Sequence, residues 1–121
     1  MKNQSLLLSI GMGLIFFSAC TSSSSDDLDL VGKTPEQTKL IMRGKTIYSA
    51  VCTSCHGLNP KVDGSLGPAI AGSSLELLES RVLFAKYPEG YKPKRDTHAM
   101  LALPQFKSEI PALHAYLNAL K

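Results

Sequence analysis

The chain has 121 residues and a formal net charge of +3 at pH 7. That length is enough for one small domain. A net charge this small does not indicate a nucleic-acid partner, which would require a strongly basic face.

Residues 1–19 have the pattern of a signal peptide that is removed after export. Lys2 supplies a positive charge near the start, residues 6–17 form an apolar run, and two small residues precede Cys20. The run is too short to span a bilayer, and its flanks are typical of a signal peptide. Loss of Lys2 lowers the net charge from +3 to about +2.

The cysteine directly after the predicted cleavage site resembles the lipid attachment site of bacterial lipoproteins. The resemblance implies that Cys20 is acylated and that the exported protein is anchored to a bacterial membrane, facing the periplasm. Two or more acyl chains are enough for stable anchoring. Phe17 departs from the leucine usual at that position. The alternative is a plain secretory signal, which would leave Cys20 as an odd exported thiol.

Residues 20–33 are predicted to be a flexible, lipid-anchored tether. Residues 21–27 consist of Thr, Ser and Asp only, so they have no apolar side chains to bury. About a dozen such residues have a root-mean-square reach of roughly 20 Å. The folded domain is predicted to comprise residues 34–121.

The first helix is predicted to begin with Thr34 as its cap and Pro35 at its first position, where a missing N–H costs nothing. Gly44 is unfavourable inside a helix, so we expect it to let another helix approach closely. Apolar residues follow at three- and four-residue spacing along one face: Leu40, Ile41, Gly44, Ile47, Tyr48 and Val51.

The segment Cys52-Thr53-Ser54-Cys55-His56 comes next. Two thiols at this spacing can bind the two vinyl groups of one porphyrin as thioethers, and the adjacent imidazole can reach the iron. A two-cysteine redox site would normally follow a strand, and a zinc site would need a second pair of ligands. A disulfide between such close cysteines would be strained. The pattern therefore favours covalent haem attachment.

Two further helices are predicted. One begins with the capping-box spacing of Ser73 and Glu76 and runs to about Lys86. The last can be capped by Ser108, with Pro111 in its first turn. Its apolar face is formed by Ile110, Leu113, Tyr116, Leu117 and Leu120. No alternating strand pattern appears, so the sequence predicts an all-α domain.

The motif and the outer helices together resemble those of c-type cytochromes. In that family a first helix with a small residue crosses a last helix with an aromatic residue, and residues 44–48 and 115–117 are similar to that pair. The resemblance implies a small cytochrome c fold, with three to four helices packed around one covalently attached haem c. Cys52 and Cys55 would form the thioethers, and His56 would be the proximal iron ligand. The haem faces would be covered by Leu66, Ile70, Leu78, Val82 and Leu101.

Residues 66–72 resemble the Gly-Pro loop of the same family. The resemblance implies that the carbonyl of Pro68 accepts the free ring N–H of His56, which would make that histidine a stronger donor to iron. The alternative is an ordinary Gly-Pro turn.

Met100 is the only methionine after the motif and lies where the family carries its distal thioether ligand. This chain departs from the family pattern, because the next proline after Met100 is Pro104 and not its direct neighbour. His98 lies two residues away, and its imidazole is also a competent iron ligand. An open or water-ligated iron is the third alternative. His114 is expected on the exposed side of the last helix, which makes it a poor candidate.

The resemblance implies single-electron transfer and not enzymatic catalysis, since an iron with two protein ligands has no site for a small-molecule substrate. We expect a monomeric, membrane-tethered carrier in a respiratory or dehydrogenase-linked chain. The alternatives are an electron-accepting subunit of a larger membrane oxidoreductase, and a haem enzyme or gas sensor with an open distal site.

Basic residues concentrate near one late loop. They could steer an acidic redox partner towards the haem edge. They could equally be solvated charges, or attract anionic lipid headgroups. The candidates for docking are Lys86, Lys92, Lys94 and Arg95.

Overall fold

The structure is a computed structural model that describes residues 28–120. The predicted signal, Cys20 and the first part of the tether lie outside the described residues. The described part of the chain is all-α, as predicted, and no helix in it is long and apolar enough to cross a membrane. Its α-helices are α1 (Pro35–Ile47), α2 (Thr53–His56), α3 (Leu75–Leu78) and α4 (Ile110–Leu117).

One helical run leads from α1 to the cysteine motif. Thr34 caps α1 as predicted: its hydroxyl accepts a hydrogen bond from the Gln37 N–H at 3.2 Å, and the Gln37 side chain accepts one from the Thr34 N–H at 2.9 Å. The chain then passes through a π-helical segment, Tyr48–Cys52, directly into α2. Gly57, with φ +79°, ends the run, because this left-handed conformation is one that glycine adopts readily.

The start of α3 differs from the prediction by one residue. The cap is Ser74, whose hydroxyl accepts a hydrogen bond from the Leu77 N–H at 3.2 Å. The predicted capping box of Ser73 and Glu76 is therefore wrong. The Ser73 hydroxyl instead donates to the Ile70 carbonyl at 2.6 Å.

Two other helix boundaries also differ. A π-helical segment, Glu79–Leu83, follows α3, and Ala85 has a φ of 53°, so the helix ends before the predicted Lys86. Ser108 does not cap the last helix, because it lies inside a 3-10 helix, Pro104–Glu109, that precedes α4. In both places a change of helix type moves the boundary away from the residue that the local pattern favours.

α1 and α4 cross at Gly44. A Cβ atom at this position would collide with the Ala112 carbonyl and would lie 2.7 Å from the Tyr116 Cβ. The rings of Tyr48 and Tyr116 pack beside the crossing, with centroids 5.5 Å apart. The predicted crossing of the first and last helices, and the close approach at Gly44, are confirmed.

The buried core surrounds this crossing. Leu40 is 41% exposed, so the predicted apolar face of α1 is wrong at that position. α3 and the π-helical segment that follows it add further buried side chains to this core. The core comprises Ile41, Ile47, Tyr48, Leu78, Val82, Leu83, Ile110, Ala112, Leu113, Tyr116, Leu117 and Ala119.

Two residues of the predicted tether, Leu28 and Asp29, contact the domain, whereas residues 30–33 are exposed. Leu28 forms an isolated β-bridge with Leu120, and the Asp29 N–H donates to the Ala119 carbonyl at 2.6 Å. Leu28 is half-buried against the core. Within the described residues, the predicted tether therefore contacts the domain at Leu28 and Asp29.

We expect Gly44→Ala to destabilise the domain by about 1–3 kcal/mol, because the new methyl group overpacks the helix crossing. Alanine gains roughly 1 kcal/mol as the better helix former, so the collision with the Ala112 carbonyl has to exceed that gain. Urea unfolding followed by circular dichroism measures the difference. Lys39→Ala, on the exposed side of α1, is the control. Equal midpoints for Gly44→Ala and the parent protein would contradict the described crossing.

Candidate functional site

A cavity of about 400 Å³ opens beside α2 and α3. Side chains from the cysteine motif, the following loop, α3 and the segment before α4 line it together. The residues expected to cover the haem faces all belong to this lining: Leu66, Ile70, Leu78, Val82 and Leu101.

His56 lies at the base of this cavity, at the end of α2. Its Nδ1 is 2.9 Å from the Pro68 carbonyl. Because a carbonyl oxygen can only accept, this contact places a proton on Nδ1, so that Nε2 is the nitrogen available to an iron. The contact therefore holds the ring in an orientation that suits an iron ligand.

Two glycines let the following loop fold back against the motif. The Gly67 N–H donates to the Cys55 carbonyl at 2.9 Å, and a Cβ on Gly67 would lie 2.5 Å from Cε1 and Nδ1 of His56. A Cβ on Gly64 would collide with the Cys55 carbonyl. The imidazole thus lies against backbone with no room for a side chain.

Cys52 and Cys55 are free, half-buried thiols that both line the cavity. Burial raises the pKa of the Cys52 thiol to about 11, with a smaller contribution from the neighbouring Cys55. At neutral pH Cys52 is therefore uncharged. The two thiols would hold a haem as thioethers, each adding its S–H across one vinyl group.

The two candidates for the distal ligand have different surroundings. Met100 is half-buried, packs against the core and lines the cavity. His98 is exposed and is not part of the lining, although its neighbours Thr97 and Ala99 are. His114 is half-buried rather than exposed as expected, and it lines a separate small cleft between α1 and α4.

These groups fit the haem c that the sequence predicts. The same apolar cavity receives both thiols, one imidazole held through its second nitrogen, and one thioether. Thiols attach haem covalently, and imidazole with thioether is an established ligand pair for its iron.

Three polar residues that were not predicted from the sequence also line the cavity: Arg81, Tyr87 and Tyr91. The Arg81 guanidinium lies 4.2 Å from the Tyr87 ring centroid, and the Tyr87 and Tyr91 rings stack at 5.4 Å. They supply one cationic and two phenolic groups suited to the two carboxylates of a haem. The available signal was the proline- and glycine-containing turn between the tyrosines, which brings the two rings together.

The predicted docking cations also differ from one another. Lys86 and Lys92 are exposed and form no ion pair within the described residues. Lys94 donates to a backbone carbonyl at 2.8 Å, and Arg95 forms an ion pair with Asp63 at 2.9 Å. The pKa of Asp63 is lowered, first because a backbone N–H donates to its carboxylate and then because Arg95 does.

Comparison with known proteins gives two findings. The family model described as Cytochrome c matches residues 41–121, about two thirds of the chain. The match begins inside α1 and includes the motif, the segments that line the cavity, and α4. No curated protein matches the sequence.

We expect Gly67→Ala to displace the His56 ring, because the added Cβ would lie 2.5 Å from two ring atoms. The contact between His56 and Pro68 would lengthen, and the iron of the haem-loaded protein would become partly high-spin. Absorption and electron paramagnetic resonance spectra measure the spin state. Val62→Ala, in the same loop, is the control and should keep the parent spectra, because the Val62 side chain is exposed and does not line the cavity. A Gly67→Ala variant with unchanged spectra would contradict the proposed packing of the ring.

Proposed function

The chain belongs to the cytochrome c family, whose members carry covalently attached haem c, and we propose on this basis that it is a membrane-tethered carrier of single electrons. The family supports haem-based electron transfer. The observation that carries the proposal is that His56 and Met100 line one apolar cavity together with both thiols. A respiratory or dehydrogenase-linked chain is the setting that an exported electron carrier would serve.

In this proposal Cys52 and Cys55 hold the haem through thioethers, and His56 is the proximal iron ligand. When bound, the haem supplies an iron centre that takes up and releases one electron. Pro68 keeps the His56 ring in one orientation through the 2.9 Å contact at Nδ1. A fixed ring limits the movement that accompanies a change of iron charge, which favours fast electron exchange.

Met100 is the proposed distal ligand. Its side chain lines the cavity, whereas the exposed His98 would have to turn inwards from outside the lining. A thioether stabilises Fe(II) and raises the reduction potential, whereas a second imidazole lowers it. With both axial positions filled, the protein would have no iron site for a substrate, which supports a carrier over an enzyme or gas sensor.

The proposed docking surface is the edge of the cavity. Leu66 and Leu101 line the cavity and remain 56% and 76% exposed. Lys86 and Lys92 are exposed, and in the sequence they are neighbours of residues that line the cavity. Apolar contact with a surrounding positive charge suits brief association with an acidic redox partner, because steering by charge speeds the encounter without tight binding.

The proposed anchor is an acyl group on Cys20. A tether of about a dozen residues after Cys20 would have a root-mean-square reach of roughly 20 Å. A domain on such a tether would stay next to the membrane surface, facing the periplasm. Partners embedded in the same membrane would then meet it at a high local concentration.

The ligand assignment is tested with two variants in the same segment. We expect Met100→Ala to abolish the long-wavelength charge-transfer band typical of a thioether bound to ferric haem, and to lower the reduction potential. His98→Ala should keep both. Absorption spectra and a redox titration of the purified protein measure the two properties.

A parent spectrum without this band, together with a reduction potential that changes in His98→Ala and not in Met100→Ala, would assign the iron to His98 instead. Reduced parent protein should bind little carbon monoxide, and tight binding would indicate an open site and thus an enzyme or a gas sensor. A polypeptide mass without an added porphyrin would reject the proposal as a whole. Stable co-purification with a larger enzyme would make the chain a subunit of that enzyme and not a mobile carrier.

We expect Cys20→Ser to release the protein from the membrane, because the serine hydroxyl does not replace the thiol in acylation. Fractionation of cells, followed by mass spectrometry of the N-terminal peptide, measures both location and acylation. Ser22→Ala, two residues further along, is the matched control and should leave the protein in the membrane fraction. Equal membrane retention of Cys20→Ser and the parent protein would contradict the anchor.

A further inference from the structure

Met100 is carried past the cavity by an extended segment, residues 94–103, that we call the distal strap. At the end of the strap, the Leu103 N–H donates to the Val82 carbonyl at 2.6 Å. Within the described residues, positions 96–102 make no hydrogen bond outside the strap. The position of Met100 therefore depends on the hydrogen bonds at the two ends of the strap and on the packing of its side chain against the core.

The start of the strap is bound to the loop that follows the cysteine motif. The Lys94 Nζ donates to the Ala69 carbonyl at 2.8 Å, and the Arg95 Nη2 donates to Asp63 Oδ2 at 2.9 Å. Arg95 also contacts the Gly64 carbonyl at 3.3 Å. The other carboxylate oxygen of Asp63 accepts the Ala69 N–H at 2.8 Å. These bonds form one network that reaches the loop on both sides of the Gly-Pro pair.

We propose that Lys94 and Arg95 are positioning residues that latch the distal strap to the loop carrying Pro68. One set of contacts then supports both axial ligands of the iron, because Pro68 orients His56 while the strap presents Met100. This inference rests on the proposed ligation by Met100. It assigns Lys94 and Arg95 a role inside the domain in place of partner docking.

A single ion pair at this exposure would contribute little, since the side chains of Arg95 and Asp63 are 31% and 61% exposed. The latch differs because each partner makes a second hydrogen bond, which fixes the geometry of both. The crossing of α1 and α4 involves none of these residues. Loss of the latch should therefore loosen the strap and leave the core folded.

The test is displacement of Met100 by added imidazole in the ferric, haem-loaded protein. We expect Arg95→Ala to exchange the methionine at an imidazole concentration about three- to tenfold lower than the parent protein requires. The loss of the charge-transfer band measures the exchange. Lys92→Ala is the matched control: it removes the same charge from a neighbouring position that makes no contact with the latch, and its midpoint should equal that of the parent.

A second variant, Asp63→Asn, keeps an acceptor for the Ala69 N–H and removes the charge that faces Arg95. If Asp63 and Arg95 act as a unit, the double variant that combines Asp63→Asn with Arg95→Ala shifts the imidazole midpoint no further than the larger of the two single changes. Additive shifts, or equal midpoints for Arg95→Ala and Lys92→Ala, would overturn the latch. A parent spectrum without the charge-transfer band would instead reject ligation by Met100, and the latch with it.

Discussion

The close contact of α1 with α4 at Gly44 is the constraint on which the rest of the structure depends. The helical run that makes this contact ends in the cysteine motif, so the crossing sets the direction in which the thiols and the imidazole point. Four residues beyond Gly44, Tyr48 fills the space beside α4, and its hydroxyl donates to the Gly57 carbonyl at 2.6 Å. On the other side of the crossing, Leu113 and Leu117 of α4 line the cavity. The helix that α1 contacts therefore also forms part of the cavity wall.

The loop after the motif connects the two sides of the iron site. On its inner side, Gly67 and Pro68 contact the imidazole of His56. On its outer side, the Asp63 carboxylate and the Ala69 carbonyl accept hydrogen bonds from the distal strap. A small domain with little core of its own can hold a large cofactor in this way, because each short segment is fixed by its neighbours.

Features that depend on neighbouring residues could be predicted from the sequence. The cap at Thr34 and the cysteine motif are of this kind, since each follows from local chemistry. The close approach at Gly44 joins distant segments, but a glycine inside a helix gives it a local signal. Features set by contacts between distant segments could not. The pair of Asp63 and Arg95, 32 residues apart, has no local signal. Ser108 was misplaced as a cap because the preceding 3-10 helix depends on how the chain packs, and propensity alone does not show it.

The pairing of Leu28 with Leu120 joins the two ends of the described domain. A chain synthesised from its amino end therefore presents Cys52 and Cys55 well before the residues that close the fold exist. At that stage Leu113, which lines the cavity in the folded domain, has not yet been synthesised. A haem held by these thiols would be enclosed when α4 packs against α1, because Leu113 and Leu117 of α4 line the cavity.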